Sequence, residues 1–107
     1  MIKITKKANG IDIVGHANYA PHGQDIVCSA VSILGETFIE SVNVFLTKEE
    51  NKKFAGGVKR SGEIYIKYDY ESLSTESKLL VDSFLLGLRL IAQLYPEHVS
   101  FDSNGAD

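Results

Sequence analysis

Three observations in the sequence predict an α+β domain of order ββαββαβ, an antiparallel-rich sheet with two helices packed on one face. Residues 2–5 and 11–16 are short runs of β-branched character, and apolar and polar residues alternate with period two in residues 63–68. An Asn9-Gly10 pair separates the first two of these runs, which is a strong hairpin signal. From Val27 to Phe45 the apolar residues recur every three or four positions, the spacing of an amphipathic helix. With 107 residues the chain has room for one core and not two, so residues 1–107 are read as a single domain.

In order, residues 2–5 and 11–16 form the first hairpin. Ile11 and Ile13 face one side, Asp12 and Val14 the other, and the second strand delivers His16 at its end. Residues 17–24 carry Asn18, Pro21 and Gly23 without periodicity and read as a loop able to act as a lid. Asp25 is a good N-cap for a helix of about five turns whose core stripe is Val27, Ala30, Val31, Leu34, Phe38, Val42 and Phe45. Cys28, Ser32 and Gly35 make an adjacent stripe of small residues, which permits close approach. Residues 54–58 and 63–68, joined across Arg60-Ser61-Gly62, read as a second hairpin. Ser74 caps a second helix over residues 75–95, stopped by Pro96. Leucines occupy nearly every side of that helix, more than a two-layer monomer can bury, so the surplus is expected to pack on a second copy. Residues 98–101 close the sheet and a polar tail follows.

The balance of charge excludes some partners. Net charge is −3, which argues against a generally basic nucleic-acid surface. Between residues 47 and 60 five cationic side chains face only Glu49 and Glu50, and a solvated connection is preferred there over a recognition patch for RNA. One cysteine cannot form an internal disulfide, which fits a reducing compartment, and cytoplasm is the expected location. The first residues lack the apolar core of a signal peptide. The window at residues 79–95, read as the most apolar, is broken by Asp82, Ser83, Arg89 and Gln93, so no membrane span is expected.

The chemistry concentrates in residues 15–32, which hold Cys28 and two of the three histidines, His16 and His22. A thiol attacks as its thiolate, and both a helix amino terminus and a nearby histidine favour that form. The Cys28 amide is a candidate donor to a developing oxyanion. On composition alone, a buried structural cysteine is the commoner fate of a lone Cys, and His16 is more often a hydrogen-bonded strand end. Asp25 reads as an N-cap first and an orienter of His16 second, and His22 as a surface histidine. His98 has no evident partner. His16, His22, Asp25 and Cys28 could be nominated for zinc, but they lack paired ligand spacing, so neither metal nor cofactor is expected.

The blocks Gly15-His16-Ala17 and Gly23-x-Asp25-Ile26-Val27-Cys28-Ser29-x-x-Ser32 resemble the bacterial ribosomal-processing cysteine protease family. The resemblance implies a homodimeric α+β cysteine endopeptidase that removes the N-terminal extension of a large-subunit ribosomal protein during ribosome maturation. It puts His16 and Cys28 in the place of the catalytic dyad and Asp25, Ser29 and Ser32 at supporting positions. Tyr19, His22 and Gly23 fall in the segment over the site and are assigned to substrate binding. An apolar groove beside Cys28 is implied, with Tyr19 and Phe38 as candidate walls. The rival reading is a non-catalytic ribosome-associated module that contacts RNA through residues 48–60, with Cys28 as core.

Overall fold

The computed structural model describes residues 1–21, 24–60 and 62–103. Strand β1 (Ile2–Lys7) and strand β2 (Gly10–Val14) form the first hairpin, in register from Lys3 opposite Val14 to Lys7 opposite Gly10. The two-residue turn is therefore Ala8-Asn9, one position before the pair singled out in the sequence, because Gly10 already belongs to the ladder. A Cβ at Gly10 would lie 2.2 Å from the carbonyl oxygen of Ile66, so the close approach of the neighbouring strand requires glycine there.

Helix α1 (Ile26–Phe45) follows the loop, and a single turn, α2 (Lys48–Asn51), leads into strand β3 (Ala55–Arg60). Strand β4 (Glu63–Lys67), a 3-10 turn (Tyr70–Ser72), helix α3 (Thr75–Leu94) and strand β5 (Val99–Asp102) complete the order. The predicted ββαββαβ arrangement is present, with α2 and the 3-10 turn as additions too short to show periodicity. The sheet runs β3-β4-β2-β1-β5; β5 alone pairs in parallel, with β1, and the other three pairings are antiparallel.

Registers set the core. Ile4 stands opposite Ile13, Ile13 opposite Ile64, Ile11 opposite Ile66 and Ile2 opposite Val99, and all seven residues are buried on one face. Charged and polar residues take the other face, where Lys7 pairs with Asp12 at 2.9 Å. Both helices cover the apolar face. They meet where Phe38 stacks on Phe84, ring centroids 4.8 Å apart, and where Gly87 leaves 3.0 Å between its would-be Cβ and Leu34. Gly35 similarly admits the Ile64 side chain, so this member of the small-residue stripe serves packing within the domain.

Two expectations about the helices are corrected. Phe45 is 75% exposed and Gly35 is buried, so the α1 stripe is Val27, Val31, Gly35, Phe38 and Val42. Among the described residues α1, and not residues 79–95, is by length and composition the helix that could cross a bilayer, yet its stripe is buried in this core. On α3, Val81, Phe84, Leu85, Leu88 and Ile91 are buried, while Leu79, Leu86, Leu90 and Leu94 form an outer stripe from 50% to 72% exposed.

The amino end of α3 is tied to α2 through Glu50. Its carboxylate accepts from the Ser74 amide (2.6 Å) and the Ser77 hydroxyl (2.9 Å), and it pairs with Lys53 at 2.7 Å. Lys53, those donors and the Ser74 hydroxyl outweigh desolvation and hold the Glu50 carboxyl down at about 2.

Candidate active site

β2 ends at Val14, and the chain leaves the sheet through Gly15, whose amide donates to the carbonyl of Gly62 in the β3–β4 turn (2.8 Å). That bond extends the ladder by one step and brings His16 over Gly62. A Cβ at Gly62 would lie 2.9 Å from His16 Cε1 and Nε2. Gly62 has φ +83°, which glycine adopts without cost. His16 is exposed and opens into a cleft of about 700 Å³ whose lining also includes Cys28, Ser29, Ser32 and Ile33 of α1. Val58, Arg60 and Glu63 of the second hairpin line the cleft as well, with Arg60 paired to Glu63.

Cys28 is the third residue of α1 and half-buried. Its Sγ receives the backbone N–H of Ala17 at 3.2 Å. This contact spans the loop and puts a donor on the sulfur that no side-chain pattern could have revealed. The Cys28 amide, expected to face an oxyanion, instead donates to Asp25 Oδ1 at 2.9 Å. Val27 N donates to the same oxygen, and Ser29 N to the Asp25 carbonyl. The first amides of α1 are thus taken by their cap, and the amide aimed at the sulfur is that of Ala17.

Asp25 is more than an N-cap. Oδ1 closes the helix, while Oδ2 accepts from the amides of Tyr19 (2.9 Å) and Ala20 (3.4 Å), fastening the loop to the helix start. Asn18, at φ 55°, makes the turn that presents those two amides; Asn tolerates this region better than most residues. Burial works to raise the Asp25 pKa, but the amides of Cys28, Tyr19 and Ala20, with the Cys28 thiol, outweigh it and hold the carboxyl below its usual range. Both carboxylate oxygens are taken by these donors, so the second role read for Asp25, orienting His16, is not what this geometry provides.

Ser29 donates its hydroxyl to the Asp25 carbonyl at 3.0 Å, and Ser32 lies exposed in the cleft. Phe38 is a core residue between Phe84 and Phe54 and forms no wall of the cleft. Tyr19, the other candidate wall, packs edge-on against Tyr95 and His98, at 5.6 and 5.3 Å, and does not line the cleft. His22 and Gly23 lie outside the described residues. His98, which showed no partner in the sequence, places Nδ1 2.9 Å from the carbonyl oxygen of Ala17. Among the described residues no group of three or more His, Cys, Asp or Glu side chains converges on a possible metal position. In residues 48–60 the cations are largely matched: Lys52 to Glu49, Lys53 to Glu50 and Arg60 to Glu63.

The scaffold and its cleft fall in the class of cysteine proteases when set beside known proteins. The family model described as cysteine protease Prp matches residues 1–100, and this chain belongs to that family. It is 28% identical over 111 residues to the ribosomal processing cysteine protease Prp of Mycoplasma pneumoniae, covering 100% of this chain and 99% of the relative. It is 27% identical over 97 residues to the protein of that name from Bacillus subtilis, covering 87% and 83%. The crystal structure of an essential ribosomal processing protease Prp from S. aureus, with a covalently linked product peptide, superposes with a TM-score of 0.82. That match covers 97% of this chain and 100% of the other at 18% identity, a likeness of fold.

Proposed function

We propose that this cysteine protease removes the N-terminal extension of a large-subunit ribosomal protein during ribosome maturation, with Cys28 as nucleophile and His16 as its base. The observation that carries the reading is the sulfur in the first turn of α1, held by the Ala17 amide in the cleft that His16 also enters. His16 takes the thiol proton and the thiolate attacks the scissile carbonyl. His16 then protonates the leaving amine, and water releases the acyl-enzyme. The relatives' names support the ribosomal substrate, and the peptide bound by the S. aureus protein supports a peptide ligand. A free thiol in this role fits the cytoplasm, where ribosomes assemble.

The working form is a homodimer. The outer stripe Leu79, Leu86, Leu90 and Leu94 supports this, since covering one Leu is worth about 1.5 to 3 kcal/mol. The test is incubation of the purified protein with the extended ribosomal precursor, reading the new amino terminus by mass spectrometry. Wild type should trim the precursor while Cys28→Ala and His16→Ala, both folded, leave it intact. Trimming by Cys28→Ala would refute the nucleophile assignment.

A further inference from the structure

We infer that His98 is a positioning residue for Cys28: it holds Ala17 so that the Ala17 amide faces the sulfur. The inference rests on the proposed role of Cys28 as nucleophile. A carbonyl oxygen has no hydrogen to give, so the 2.9 Å contact between His98 Nδ1 and Ala17 O requires the hydrogen on Nδ1. The other side of the same residue, Ala17 N, donates to Cys28 Sγ at 3.2 Å. Residue 17 is therefore fixed at both backbone groups, by the imidazole at one and the sulfur at the other, and it is itself buried.

The imidazole has little freedom to drift. His98 N donates to Tyr95 O (3.0 Å), its carbonyl accepts from Ile2 N (2.9 Å), and the ring packs edge-on against Tyr19. The residue just before β5, eighty-one positions from Ala17, thus fixes the loop on the far side of the nucleophile. A preorganised N–H at a sulfur that becomes charged stabilises that charge only while its direction is kept. The amides of Val27, Cys28 and Ser29 are engaged by Asp25, so the Ala17 amide is not duplicated by them.

The test compares wild type, His98→Ala and His98→Asn, since the Asn side-chain amide can replace the Nδ1 donor. His98→Ala should lower kcat on a precursor-derived peptide by about 10-fold with KM nearly unchanged. Hydrogen exchange at the Ala17 amide, read by NMR, should accelerate without acceleration across the sheet. His98→Asn should recover most of both. Wild-type kcat and Ala17 protection in His98→Ala would overturn the inference, as would a folded His98→Asn no better than His98→Ala, or, where His98→Ala does not fold, a folded His98→Asn with reduced kcat. Failure of the nucleophile assignment itself is separate, because it appears as cleavage by Cys28→Ala.

Discussion

Replacing Gly62 by alanine should separate the stability of the second hairpin from the work of His16. At φ +83° a residue with a Cβ is strained by about 1 to 2 kcal/mol. In a domain of this size that lowers the melting temperature by about 4 to 16 °C. The new Cβ would lie 2.9 Å from His16 Cε1 and Nε2 and 3.1 Å from the Gly15 carbonyl oxygen. Unstrained contacts between carbons lie at about 3.5 to 4.0 Å, so the imidazole must withdraw by about 0.6 to 1.1 Å. A displacement near 1 Å of a catalytic group costs up to about 100-fold in rate, or about 2.7 kcal/mol of barrier. The assay is kcat/KM on a precursor-derived peptide, well below the melting transition, beside a thermal melt. A lowered melt with unchanged kcat/KM would refute the claim that His16 works from its place over Gly62.

Leu88 of α3 is fully buried in the core, and Leu88→Ala should cost about 2 to 5 kcal/mol in chemical denaturation. Glu50 is held at about 2, below its ordinary 4.5, so its stabilising effect is complete above pH 4.5 and is lost as pH falls toward 2. Glu50→Gln should accordingly be less stable at neutral pH and show a shallower acid limb in the melting temperature. If the proposed dimer packs through the outer stripe of α3, Leu90→Lys should weaken it by at least about 100-fold in sedimentation, because an isologous interface loses the contact twice.

Much of the scaffold was legible because each element carries its own period. Ile11 and Ile13 announce the buried face of a strand, and Asp25 and Ser74 announce helix starts that their side chains do cap. The site was legible only where side chains carry it. His16 and Cys28 could be nominated from residue type and position, but the Ala17 donor is a backbone group, which any residue but proline supplies. His98 was invisible for another reason: its partner lies eighty-one residues away, and only the parallel pairing of β5 with β1 brings the two together. The misplaced residues follow the same logic. Phe38 and Tyr19 are aromatics near the site in sequence, but their period and turn direct one into the core and the other onto Tyr95. The Cys28 amide was misjudged because Asp25 serves helix and loop with one carboxylate.

In the proposed reaction the Cys28 sulfur forms a bond to the substrate's acyl carbon. Intact-protein mass spectrometry of a reaction quenched in acid within the first turnover tests it directly. The expected result is an adduct equal in mass to the released N-terminal extension less one water, located on Cys28 by peptide mapping and absent from Cys28→Ala. Turnover with no adduct at early times, or an adduct on any other residue, would contradict it.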